Sequence, residues 1–158
     1  MPVYYDFAKD CTSNGTALNS TTHFRFLTIA NQPTMSLSLL FGGCYGATAG
    51  GGVLRLIIPG APGSGGTAQT PGKKRPTAVA ASTTVFNDTS AITAGTGAVM
   101  RLLVGLAQTG GMGGYAPAEP DAAIQLLANG GATGNMEIAS LFNAATQQFG
   151  LGGDFSEA

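Results

Sequence analysis

A chain of 158 residues with 44% hydrophobic positions can bury one core of its own, which excludes global disorder. Only 9% of its residues are charged, against roughly 25% in an ordinary soluble domain. The net charge of −1 excludes a general nucleic-acid binder, which needs a basic field to displace counterions.

Glycine supplies 25 residues. Each glycine inside a helix costs up to about 1 kcal/mol relative to alanine. Glycine abundance and scarce charge together favour short strands, long loops and an assembled state. The expected fold class is mainly β: an antiparallel β-sandwich or jelly-roll-like domain with long glycine-rich loops and extended terminal arms.

Residues 1–22 read as an N-terminal arm. Tyr4, Tyr5 and Phe7 come first, then loop chemistry through Cys11 and Asn19. The start has neither a basic region nor an apolar run of signal-peptide type, so the expectation is a chain made in the cytoplasm. The β domain spans 23–147. His23 to Ala30 is rich in strand formers, and Met35, Leu37, Leu39 and Phe41 alternate with Ser36 and Ser38. These two segments are expected to pair as a hairpin across a turn at 31–34. Val53 to Ile58 is the next strand, with Leu54, Leu56 and Ile58 inward and Arg55 outward.

Residues 59–76 read as a long, mobile surface loop with a basic tip at Lys73, Lys74 and Arg75. Thr77 to Phe86 has strand composition, and residues 87–90 read as a turn. The run from Ala98 to Ala107 is apolar on both faces, as in a strand central in a sandwich or pressed against a neighbouring subunit. Residues 108–121 are expected to be a loop. Residues 122–129 and 136–142 are expected to pair as a second hairpin across the glycine turn 130–134. Two helices, with Pro120 at a first turn and Gly130 at a C-cap, are the alternative. Residues 148–158 form a C-terminal tail with isolated anchors at Phe149, Leu151 and Phe155.

Catalytic and cofactor chemistry finds little to hold on to. His23 is the sole histidine, and Cys11 and Cys44 are far from it in sequence and expected to be free thiols. A Ser–His–acid triad would have to be built on His23 by the fold, and no Gly-x-Ser-x-Gly elbow accompanies it. Glu119 and Asp121 sit in a loop, and the chain has no tryptophan platform for a sugar. Gly111, Gly113 and Ala116 match a dinucleotide fingerprint formally, but Pro117 and Pro120 break the helix that would receive the pyrophosphate. The longest apolar run is half the length of a membrane-spanning helix. The sequence therefore leads to no catalytic residue, no metal and no cofactor, and to neither membrane nor direct nucleic-acid contact. Sequons at Asn14, Asn19 and Asn87 fit chance in a Ser- and Thr-rich chain.

The stretch from Tyr45 through the Gly50–Gly52 run to Leu56 resembles a strand–loop–strand of small tailed-bacteriophage β-sandwich virion proteins, the capsid decoration or cement type. The resemblance implies a virion protein made in the host cytoplasm, a homo-oligomer that also contacts a major capsid or other virion protein. A receptor- or carbohydrate-binding module of a fibre or secreted assembly is the alternative, favoured by an aromatic-lined groove around Tyr45 or Tyr115. In either setting Tyr4, Tyr5, Phe7, Phe149, Leu151 and Phe155 are the expected subunit contacts.

Overall fold

The computed structural model describes residues 2–17, 19–28, 33–45, 50–87, 92–97, 99–106, 111–119, 123–126 and 134–158. Twelve strands run in chain order: β1 Val3–Thr12, β2 Thr21–Thr28, β3 Met35–Cys44, β4 Gly52–Ile58, β5 Ala68–Gln69, β6 Gly72–Lys73, β7 Thr84–Phe86, β8 Val99–Leu106, β9 Met112–Tyr115, β10 Ile124–Leu126, β11 Gly134–Phe142 and β12 Gln148–Glu157. There is no helix among the described residues. The fold class is mainly β, as the composition requires.

The strands form two antiparallel sheets of six. Sheet A runs β10-β3-β12-β1-β6, with β9 also on β3; sheet B runs β5-β7-β2-β11-β4-β8. The chain crosses between sheets at β1 to β2, β2 to β3 and β3 to β4, visits sheet A briefly at β6, returns to it at β9 and β10, crosses to sheet B at β11 and closes from β11 to β12. The order β1-β12-β3-β9 over β2-β11-β4-β8 is that of a jelly roll.

This topology corrects both expected hairpins. β2 and β3 are strands, but they lie in different sheets: β2 pairs with β11 and β7, and β3 with β12. Likewise β10 pairs with β3, while β11 pairs with β2 and β4. The C-terminal third is thus strand, as favoured over helix, but its two strands are not partners. Both corrections have one cause. Each apolar face must cover the opposite sheet, so consecutive strands cross the core instead of lying side by side. Residues 112–115, expected in a loop, form β9, and β8 is an edge strand, not a central one. The turns expected at 31–34, 87–90 and 130–134 fall largely outside the described residues, as does Asp121.

The terminal segments are also corrected. β1 and β12 pair along their whole length, from Val3 opposite Glu157 to Thr12 opposite Gln148, and β12 is flanked by β3 on its other side. Tyr5, Phe7, Phe149, Leu151 and Phe155 belong to the core cluster. Alternation explains it. Tyr5, Phe7 and Cys11 face inward, while Tyr4, Asp6, Ala8 and Asp10 face outward. Burying each large apolar side chain contributes roughly 1.5–3 kcal/mol, so a strand with several of them packs on its own core. Rings interlock across the sheets: Phe7 meets Phe24 and Phe26 edge-on at 5.0 Å, and Phe149 lies 4.9 Å from Phe142. Gly153 makes room for this, since a Cβ there would sit 2.8 Å from the Phe7 ring.

The segment expected to be a mobile loop is partly tied down. Residues 59–67 bridge to residues 92–97 through Ala61–Thr96 and Ser64–Thr93, making a two-armed flap on the outer face of sheet B. At one end of the sandwich the buried Glu157 carboxylate accepts the Ser82 and Thr83 amides at 2.9 and 2.6 Å. Tyr5 donates its hydroxyl to the Val79 carbonyl, fixing the same crossing segment. The exposed edge of β1 is protected by an inward charge, a device that discourages strand addition: Lys9 reaches across to the Asn87 carbonyl.

Candidate functional site

The outer face of sheet A carries an open groove of about 620 Å³. Its floor is Gly43 and Gly150, one wall is Phe41 and Met112, the other is Ala8 and Asp10, and Tyr45 closes one end. A Cβ built at Gly150 meets nothing within 4 Å, so the floor is fully recessed there. Three large apolar side chains stand out of the surface around it: Met112 77% exposed, Tyr45 54% and Phe41 39%. Elsewhere on such a surface, isolated exposed apolar residues need no explanation, but a contiguous patch does.

One backbone irregularity builds this groove. β3 pairs with β12 in register until a bulge between Asp154 and Phe155. Strand side chains alternate with period two, so one extra residue reverses the facing of everything beyond it. Met35 and Leu37 therefore face the core, but past the bulge Leu40, Gly42 and Cys44 do, and Leu39 and Phe41 turn away from it. The expectation that Leu39 and Phe41 share the core face with Met35 and Leu37 is corrected on this ground. Phe41 lies opposite Gly152, and a Cβ on Gly152 would come 2.9 Å from its ring, so the phenyl covers the glycine backbone.

The groove's polar feature is a Tyr45–Asp10 pair, the phenol donating to the carboxylate. Partial desolvation, then the Asp10 charge and this hydrogen bond, push the Tyr45 hydroxyl above its ordinary pKa. At the other end of the same face a smaller depression of about 350 Å³ is lined by Tyr4, Ser36, Ser38, Ser156, Pro2 and Pro117. An ion pair on the sheet A surface joins Lys74 to Asp154 at 2.6 Å. Of the six expected contact residues, Tyr4 alone is on the surface, 41% exposed.

His23 is placed away from any site. It is fully buried, its Nε2 is 2.7 Å from Ser140 Oγ, and its ring meets Phe149 edge-on at 5.1 Å. Burial, helped by the nearby Lys9 charge, pushes its pKa down to about 4. A Ser–His pair sealed in the core cannot reach a substrate. Cys11 and Cys44 are buried free thiols on either side of Phe149, each opposite it in a different neighbouring strand. Two strand spacings, about 9.6 Å, exceed the roughly 7 Å Cα limit of a disulfide. Burial raises both thiols, that of Cys11 to about 12. Gly111 leads into β9 and Gly113 belongs to it, and the described residues that follow hold no helix to receive a pyrophosphate. Among the described residues no group of three or more His, Cys, Asp or Glu is arranged to hold a metal ion. Glu119 is exposed.

Neither family models, curated proteins nor solved structures include a match to this chain.

The groove residues carried a faint sequence signal. The Leu39–Leu40 doublet interrupts the Met35 alternation, and a doublet within a period-two strand is where a bulge can reverse the faces.

Proposed function

We propose that the chain is a structural protein of a bacteriophage-type particle, a jelly-roll module of the decoration or cement kind that works by assembly. The observation that carries this reading is the outer face of sheet A. There Phe41, Tyr45 and Met112 surround a glycine floor, on a surface with very few charges to keep copies apart. The mechanism is passive. Binding to the assembled shell and not to its separated subunits stabilises the shell by mass action. The partners are copies of the chain itself and a major capsid or other virion protein.

The test uses particles assembled without the chain. Adding the purified full chain is expected to raise their resistance to heat and osmotic shock. Unchanged resistance with the chain absent from the washed particles contradicts the reading. A second reading, a carbohydrate-binding module, is favoured by the Tyr45 groove itself, where aromatic rings stand beside the Asp10 carboxylate. Retention of the chain on an oligosaccharide column, with release by free sugar, supports that reading.

A further inference from the structure

The geometry points to a specific occupant for the sheet A groove: the same face of a second copy of this chain. The inference rests on the assembly reading and adds where the copies meet.

Self-complementarity is the first argument. The patch holds both protruding and recessed parts: Met112 and Tyr45 stand out, and Gly150 lies open beneath them with nothing within 4 Å of a built Cβ. Protruding and recessed parts on one surface are what a symmetric homo-oligomer needs, because each copy then supplies the projection and the recess at once.

Charge is the second argument. The carboxylates at the groove and beside it are already engaged within the chain, Asp10 by Tyr45 and Asp154 by Lys74. Asp10 keeps its charge in that hydrogen bond and Asp6 also faces outward from β1, so an identical face fits with these carboxylates at the rim, offset from their counterparts, around the apolar centre of Phe41, Met112 and the glycine floor.

Area is the third. β1, β3 and β12 are ten residues each. With β9 and β10 together flanking β3 as a fourth row, they make a face of about 33 Å by 19 Å, roughly 600 Å². Two copies together bury about 1,200 Å², the lower bound of stable specific interfaces. Large bare aromatic and thioether side chains at the centre supply the anchor that such an area requires.

Sedimentation equilibrium on the full chain tests this over a wide concentration range. Wild type is expected at an integral multiple of the chain mass. Gly150→Trp builds a large side chain into the recess from a position where a Cβ meets nothing within 4 Å, and Met112→Glu puts a charge on the projection. Both are expected to keep the wild-type circular dichroism and melting while their dissociation constants rise at least tenfold. Leu103→Glu, on the exposed outer side of β8 in the other sheet, is the control and is expected to leave the mass unchanged. Folded variants that keep the wild-type mass overturn the inference and leave the assembly reading standing. A wild type that stays monomeric, with both groove variants failing to bind particles, assigns the groove to a shell protein and overturns it too. Saturable quenching of Tyr45 by an oligosaccharide in a monomeric wild type also overturns it, and counts against the assembly reading as well.

Discussion

Arg25 on β2 and Glu137 on β11 are cross-strand partners, yet each holds a different arm of the flap that covers them. Arg25 donates from Nη2 to the Gly65 carbonyl at 2.8 Å and stacks over the Phe86 ring at 4.0 Å. Glu137 accepts the Gly95 amide at 2.9 Å. Both side chains are buried, so the flap and the charges depend on one another. Removing either side chain leaves its flap partner, the Gly65 carbonyl or the Gly95 amide, without that hydrogen bond, which costs about 1–3 kcal/mol. Arg25→Ala and Glu137→Ala are each expected to destabilise by that order in urea titrations. Hydrogen exchange at the Gly95 amide is expected to accelerate in Glu137→Ala. Additive losses in the double variant would show that the two act independently.

The bulge in sheet A makes an opposite forecast for two adjacent leucines. Leu40 is fully buried, whereas Leu39 lies on the other side of β3 and is only partly covered. Leu40→Ala is expected to cost about 2–5 kcal/mol, and Leu39→Ala well under half as much. Thermal melts of the two variants decide it. A larger loss for Leu39→Ala than for Leu40→Ala would mean that β3 continues its alternation without reversal.

Buried His23 imposes a pH dependence whose sign is fixed. Its folded pKa of about 4 lies below the ordinary 6.5, so the unfolded chain takes up a proton first. The contribution to stability is intact above pH 6.5, falls as pH drops from there, and is fully lost once pH passes below about 4. The total change is about 3 kcal/mol. His23→Gln is expected to flatten the stability profile between those pH values. Urea midpoints measured for both proteins check this, and an unchanged slope in the variant would remove His23 as its source.

β12 is an interior strand and not a tail. Deleting residues 148–158 strips β1 and β3 of their shared partner and removes Phe149, Leu151 and Phe155 from the core. The truncated chain is expected to be unfolded or aggregated by circular dichroism. A truncation that keeps a native β spectrum and loses only assembly would restore the role of an outward-reaching arm.

What was legible in the sequence had a short range. Val53 to Ile58 places Leu54 and Leu56 in the core and Arg55 outward because that part of the strand alternates, although Ile57, on the Arg55 side, is also buried. The same period was present in both terminal strands and was obscured. Lys9 occupies an inward position in β1 and Gly153 an inward position in β12, so Tyr5, Phe7 and Cys11, and likewise Phe149, Leu151 and Phe155, looked like isolated anchors. Pairing was not legible, since the ladders of a jelly roll join residues as distant as Val3 and Glu157 and no local propensity encodes that choice. The groove was hidden for a narrower reason. It depends on one bulge that turns Phe41 outward over Gly152, and a single-residue shift leaves only the Leu39–Leu40 doublet as its trace.

The central claim, the proposed assembly on a bacteriophage-type particle, is tested most directly by density-gradient sedimentation of lysates in which the untagged full chain is made beside such particles. The account predicts the chain in the particle fractions at a fixed ratio to the major shell protein, retained through washing and displaced from those fractions by Met112→Glu. A chain found only at the top of the gradient, in wild type and variant alike, would contradict it.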